Sequence, residues 1–199
     1  MKKNKMQNRR QGIIEAARKV FYDNGYEMTS VDMIAEKVGV AKGTIYLYFR
    51  SKQKLFLAVG MEIIEKFDKV VEEAVKKKGK NSHDKLKYLV NSTLRFVETN
   101  EKYFSIWEKQ FQTLHKAFTK AQFKNINEKR IKLAGLFSAA IKEGIDSGLI
   151  RKINPEVAGI VLFTMITTFS RLDLVSIEEN AIAKKTSEIM DIFLKGVGK

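Results

Sequence analysis

The chain has 199 residues, 44% of them hydrophobic and 30% charged, enough apolar material for a buried core and too much for a disordered polymer. It contains no cysteine, one proline and 12 glycines. Disulfide frameworks, thiolate zinc sites and cysteine nucleophiles are therefore excluded, and apolar residues recurring three and four apart predict an all-α fold. The formal net charge of +14 points to a polyanionic partner.

Met1 to Asn8 reads as a polar, basic arm carrying Lys2, Lys3 and Lys5; no apolar run follows it, so it is not a secretory signal. The first helix is predicted over about residues 7–24, with Ile13, Ile14, Ala17, Val20 and Phe21 inward and Gly25 as its stop. Thr29 or Ser30 can cap a short helix over 31–37, with Asp32 three residues after Thr29 as in a capping box. That helix buries Val31, Ile34, Ala35 and Val38; Gly39 then allows a tight turn into a third helix over 42–48. Ser51 caps a long fourth helix, 52–78, with Leu55, Phe56, Val59, Ile63, Phe67, Val70 and Val71 inward. The basic run from Lys76 to Lys80 ends it, because cations suit a helix C-terminus.

Ser82 caps a fifth helix reaching about Glu98, and Asn100 starts a sixth containing Phe104, Trp107 and Phe111. A long helix with Ile131, Leu133, Leu136, Phe137, Ile141 and Ile145 ends near Gly148. Asn154-Pro155 is an N-cap followed by proline at the first helical position, and starts an eighth helix running to about Val175. The ninth runs over about 177–195. The longest apolar stretch, Val157 to Phe169, is broken by Thr164, Thr167 and Thr168 and is shorter than the ~20 residues of a membrane span. The expected location is the cytoplasm, with no membrane partner.

Residues 29–49, TSVDMIAEKVGVAKGTIYLYF, hold two short helices about a glycine turn, the helix-turn-helix arrangement. Ile34, Ala35, Val38, Val40, Ile45 and Phe49 must face inward to brace the second helix. Lys42, Gly43, Thr44, Tyr46, Leu47 and Tyr48 are left pointing outward, a poor solvent surface and a good nucleic-acid surface. Lys and the Tyr hydroxyls suit phosphate, Leu and the Thr methyl suit the thymine methyl, and Gly permits close backbone approach. The charge agrees: residues 1–55 carry 12 Lys and Arg against 5 Asp and Glu, half of the whole excess. A generally Lys-rich composition is the bland alternative for the charge taken by itself.

At these residues the sequence resembles the TetR/AcrR family of bacterial regulators. The resemblance covers about 45 residues from Arg10 to Leu55: Ile14, Ala17, Phe21, Gly25-Tyr26, Thr29, Val31, Ile34-Ala35, the run from Val38 to Tyr46, then Tyr48-Phe49, Lys52 and Leu55. It implies a three-helix DNA-binding domain over residues 1–50 and an effector-binding and dimerisation bundle over 51–199. It also implies that Lys42, Gly43, Thr44 and Tyr46 lie nearest the DNA, with Tyr48 and Lys52 on phosphates. Thr29 and Ser30 would reach phosphate from a helix N-terminus, where free amides favour anions. Position 41, often serine in the family, is Ala41 here, so the recognition helix lacks a side-chain cap. The basic residues ahead of Gln11 either add phosphate or minor-groove contacts or form a solubilising tail.

The remaining helices are expected to hold an effector pocket with aromatic walls. Candidate walls are Phe104, Trp107, Phe111, Phe118, Phe123, Phe137, Phe163 and Phe169, each equally readable as core packing. Polar candidates are Arg95, Glu108, His115, Arg171 and Asp173. A hydrophobic, neutral or anionic effector fits this composition; long-chain acyl compounds, which several TetR-like regulators sense, are favoured over a cationic drug. The last two helices carry apolar residues over more than one face, including Val157, Ile160, Val161, Met165, Ile182, Ile189, Ile192 and Phe193. A two-fold four-helix interface would cover the surplus and set two recognition helices on a pseudo-palindromic operator.

Other classes fare worse. The two histidines, His83 and His115, stand in neither metal-ligand nor triad-like spacing, and there is no P-loop or dinucleotide glycine fingerprint. No catalysis, metal or cofactor is expected. The alternative within the DNA-binding class is a helix-turn-helix architectural protein with no effector.

Overall fold

The computed structural model describes residues 2–77, 81–114, 119–169 and 181–197. Every regular element among these is helical: α1 (Lys2–Met28), α2 (Val31–Val38), α3 (Lys42–Tyr48), α4 (Lys52–Lys76), α5 (Ser82–Thr99), α6 (Glu101–Leu114), α7 (Lys120–Asp146), α8 (Pro155–Phe169) and α9 (Ala181–Val197). The end expected for the eighth helix and the start expected for the ninth fall outside the described residues. No helix among the described residues is long and apolar enough to cross a membrane.

Several helix ends differ from the sequence expectations. α1 begins at Lys2, so the basic arm is helical; Lys, Gln, Met and Arg are good helix formers and no breaker precedes Gly12. Gly25, at φ 74° and ψ 175°, kinks the chain before Tyr26–Met28. Few other residues tolerate that backbone. The cap of α2 is Ser30, whose Oγ accepts from the Met33 amide at 3.2 Å. The reciprocal contact comes from the Met33 thioether, which accepts from the Ser30 amide, so Asp32 does not close a capping box with Thr29. At α5 the cap is Asn81 rather than Ser82, its Oδ1 accepting from the Asp84 amide at 2.8 Å. Ser51 does cap α4, accepting from the Lys54 amide at 3.1 Å. Asn154 caps α8 through the Glu156 and Val157 amides.

The chain divides into two compact units, residues 1–64 with 102–119, and residues 65–101 with 120–199. The first has a core of Ile13, Ala17 and Phe21 from α1, Ile34 and Ala35 from α2, Ile45 from α3, and Leu55, Phe56 and Val59 from α4. Phe56 is its hub, within 4.8–5.8 Å, centroid to centroid, of Phe21, Tyr26, Tyr103 and Trp107. Gly60 lies one turn on from Phe56 because the Trp107 ring occupies the space a Cβ would need. The second unit buries Leu89, Val90 and Leu94 of α5, Phe137 and Ile141 of α7, Leu162 and Ile166 of α8, and Ile189 and Phe193 of α9. A polar seam joins α5 to α9, where Lys185 and Glu98 pair at 2.8 Å beside an Asn91–Thr186 hydrogen bond.

Asp68, on α4 in the second unit, is 5% exposed, and its Oδ1 has no hydrogen-bond partner. Lys129 stands 4.0 Å from the other oxygen and also pairs with Glu65 at 3.4 Å. Burial pushes the Asp68 carboxyl above the usual aspartate range, Lys129 and Lys132 opposing it. A carboxyl that holds its proton more tightly when folded loses stability as pH rises from the ordinary aspartate range through the raised value. Asp68→Asn should therefore raise the urea midpoint at pH 7. The gain should shrink as the pH is lowered to about 3, where Asp68 is itself neutral; equal midpoints at pH 7 would show that burial does not penalise the carboxylate.

Candidate nucleic-acid interface

The helix-turn-helix is assembled by local chemistry. Ser30 starts α2, and Gly39 ends it in the left-handed region at φ 73° and ψ 40°. The Val40 amide donates back to Ala35 at 3.0 Å, closing the turn. Ala41 is the N-cap of α3, extended at φ −67° and ψ 146°, with no side-chain hydrogen bond. The helix begins instead with the Thr44 amide donating to the Ala41 carbonyl at 2.8 Å.

On α3, Ile45 and the following Phe49 are buried, at 1% and 5% exposure. Lys42, Gly43, Tyr46 and Leu47 lie outside, with Leu47 84% exposed, while Thr44 and Tyr48 are half-buried at the flanks. The expected outward set thus shares one side of the helix, graded from Leu47 at the crest to Thr44 and Tyr48 at the edges. Of the expected inward set, Ile34, Ala35, Ile45 and Phe49 are buried, and Val38 and Val40 half-buried. The guanidinium of Arg10 sits 5.1 Å from the Phe49 ring centroid, so that basic residue packs on the back of the motif.

Three contacts were not visible in the sequence pattern. Lys42 pairs with Asp32 of α2 at 2.7 Å, both side chains about half exposed or more. That hydrogen bond holds the Lys42 ammonium above the ordinary lysine range. Thr29 is 2% exposed, and its hydroxyl donates toward the carbonyls of Gly25 at 2.6 Å and Val20 at 3.3 Å. Its side chain is committed to the end of α1, whereas Ser30 beside it is exposed. The ammonium of Lys52 rests on the carbonyls of Tyr26, Glu27 and Thr29, not out in solvent. The partners of Lys42 and Lys52 lie 10 to 26 residues away, at no helical or strand period, so only the assembled fold brings them together.

The expected effector walls are spread over both units. In the first, Trp107 stacks on Phe56 at 5.5 Å and Phe104 is half-buried. In the second, Phe137 is fully buried and lies 5.3 Å from Phe163, which also meets Phe67. Arg95 is exposed. The side chains of Phe111, Phe123, Glu108 and Phe169, and residues His115, Phe118, Arg171 and Asp173 entirely, lie outside the described residues. A groove of about 410 Å³ in the second unit is formed by α8 and α9 and uses none of these walls; Ile153, Val157, Val161, Met165, Ile192 and Phe193 line it. No cluster of His, Asp and Glu among the described residues could hold a metal ion.

Residues 13–59 match the family model described as bacterial regulatory proteins, tetR family, and residues 79–171 match the tetracyclin repressor-like C-terminal domain. The uncharacterized HTH-type transcriptional regulator YhgD of Bacillus subtilis is 27% identical over 158 residues, 79% of this chain and 80% of its own length. The fatty acid metabolism regulator protein of the same organism is 26% identical over 186 residues, 89% of this chain and 93% of its own. The crystal structure of FadR from Bacillus subtilis in complex with stearoyl-CoA superposes with a TM-score of 0.70 at 23% identity, covering 94% of this chain and 98% of that one. This last likeness is one of fold.

The uncapped start of α3 yields a test. Ala41→Ser would supply an acceptor for the free amides of the first turn and stabilise the motif by about 1 kcal/mol. Amide exchange over residues 42–48 should slow accordingly; unchanged exchange would mean that the first turn is already fully satisfied.

Proposed function

This chain belongs to the TetR family of bacterial regulatory proteins and is a DNA-binding transcriptional regulator; we propose that it is a homodimeric repressor, released from a pseudo-palindromic operator by a small hydrophobic effector. The observation that carries the DNA-binding part is the outer side of α3. Lys42, Gly43, Tyr46 and Leu47 are exposed there while Ile45 and Phe49 anchor the opposite side. Such a helix can enter a major groove, with Thr44, Tyr46 and Leu47 at base edges and Lys42 and Tyr48 toward phosphate. Ser30 adds a hydroxyl at the N-terminus of α2, and Thr29 its backbone.

Residues 1–50 form the DNA-binding domain in this reading, and residues 51–199 bind effector and dimerise. Pairing uses α8 and α9, whose outer residues Val157, Ile160, Val161 and Ile192 are each 47–57% exposed although apolar. The effector is a long-chain acyl compound such as a fatty acyl thioester. Support comes from the similarity to the fatty acid metabolism regulator and from the shared fold with FadR in complex with stearoyl-CoA. The aromatic residues Phe104, Trp107, Phe111, Phe137, Phe163 and Phe169, with His115, are the candidates to meet it. Since α4 carries residues of both units, its displacement by effector would alter the separation of the two recognition helices. Action of this kind takes place in the cytoplasm.

In vitro selection of duplexes with the full-length chain tests the DNA reading. One pseudo-palindrome should emerge, with half-sites about 34–36 Å apart or a multiple of it. Tyr46→Ala or Thr44→Ala should then relax preference at individual positions by about 1–3 kcal/mol. Binding that ignores sequence and fades at about 150 mM salt would favour the architectural alternative with no effector.

The effector reading has its own measurement. Stearoyl-CoA should weaken affinity for the selected duplex by about 5–150-fold, and the duplex should weaken stearoyl-CoA binding by the same factor. Titration calorimetry showing no heat and no shift with stearoyl-CoA would remove the acyl assignment while leaving the DNA assignment standing.

A further inference from the structure

Lys52 opens α4, and the family pattern would send it to a phosphate. Its surroundings suit a different task. The ammonium donates to the carbonyls of Tyr26 at 3.0 Å, Glu27 at 3.3 Å and Thr29 at 3.0 Å. It also lies 4.4 Å from the centroid of the Tyr26 ring. An ammonium has three donors and no more, so all of its hydrogen-bonding capacity is used within the protein.

The three acceptors belong to the segment that carries the chain from α1 into α2. Gly25 turns the backbone there, the Thr29 hydroxyl closes onto the Gly25 carbonyl at 2.6 Å, and the Asn24 side-chain Nδ2 donates to the Val20 carbonyl at 3.0 Å. A helix end leaves carbonyls without intrahelical partners, and a cation is the favourable answer to them. Tyr26 is buried between Phe21 and Phe56, which fixes one wall of the ammonium site. Thr29 immediately precedes Ser30, the cap of α2, so the ammonium ties the first turn of α4 to the residue next to the start of the helix-turn-helix.

We propose that Lys52 is a positioning residue of the DNA-reading head: it fastens α4 to the α1–α2 segment and acts on DNA through the placement of α2 and α3, without touching phosphate. The inference rests on the DNA-binding reading above. A shift of the first turn of α4 is passed to α2 through this ammonium. Its chemistry also separates lysine from arginine. A compact ammonium meets three carbonyls converging on one point, whereas a planar guanidinium fork suits the paired oxygens of phosphate at least as well as lysine does.

The test uses the duplex most enriched by in vitro selection with the unsubstituted full-length chain. Its affinity is measured over about 50–200 mM salt for the unsubstituted chain, Lys52→Arg and Lys52→Met, each well below its melting transition by circular dichroism. Both variants should lose about tenfold or more in affinity, Lys52→Arg included, with the slope of log affinity against log salt unchanged. Lys52→Arg at full affinity, or a Lys52→Met slope shallower by about one, would make Lys52 a phosphate contact and overturn the proposal. Full affinity in both folded variants overturns it too, since Lys52 would then serve stability alone. Should Lys52→Met not fold, Lys52→Arg decides by itself. An unsubstituted chain that enriches no duplex sinks the DNA-binding reading and this inference with it.

Discussion

A helix of seven residues has no stability of its own in water, because nucleation costs more than so few hydrogen bonds return. α3 exists only because Ile45 and Phe49 are driven into the core of the first unit, where they are 1% and 5% exposed. That single constraint decides the rest of the interface. With those two residues inward, helical geometry leaves Lys42, Gly43, Tyr46 and Leu47 no place except outside. Ala41 makes the dependence sharper, since the helix has no side-chain cap to hold its first turn. The left-handed Gly39 then fixes where the helix starts relative to α2, by letting the Val40 amide return to Ala35.

The parts of this arrangement that follow from short-range chemistry were legible in the sequence. The limits of α3, the turn at Gly39, the break at Gly25 and the bare cap at Ala41 all rest on residues within five positions of one another. The same local reasoning failed where two local signals competed. Met1 to Asn8 was expected to form an arm because of its charge, yet residues 2–8 are rich in helix formers and belong to α1. Ser30 and Thr29 both qualified as a cap; Thr29 is taken up by the Gly25 and Val20 carbonyls, which leaves Ser30 with the role. Contacts between distant residues had no signal at all. Nothing in the spacing of Asp32 and Lys42, or of Lys52 and Tyr26, announces that they meet.

The aromatic residues of the later helices illustrate a different limit. A helical stripe of Phe and Trp states that one side is apolar, not what lies against it. Phe56, Tyr103 and Trp107 come together in the first unit, the Tyr103 hydroxyl donating to the Phe56 carbonyl at 3.3 Å. Burial pushes that phenol well above the usual tyrosine range, so it stays a donor at any physiological pH. Gly60 is the residue that makes the arrangement possible, and a glycine inside a helix is read from sequence only as a weak point. Phe67, Phe96, Phe137 and Phe163 form a separate group in the second unit. Periodicity alone had no means of sorting one group from the other.

α8 shows how a surplus of apolar residues is divided. Gly159 lets the helix approach α7 so closely that a Cβ there would lie 2.8 Å from the Ser138 backbone nitrogen, and Ala158, Leu162 and Ile166 are buried along the same side. Val157, Ile160 and Val161 are left exposed on the other side, and Val157 and Val161 line a groove with Ile192 of α9. Association of two chains through this surface would have to overcome a formal charge of +14 on each. Yet half of that charge lies in residues 1–55, before α8 and α9 begin, and at physiological salt exposed charges are screened beyond about 8 Å. Against that repulsion would stand burial of Val157, Ile160, Val161 and Ile192 at about 25 cal/mol per Å². If two chains pair as proposed, the excess carried by residues 1–55 is the part a duplex would neutralise, so bound DNA would relieve repulsion between the paired chains.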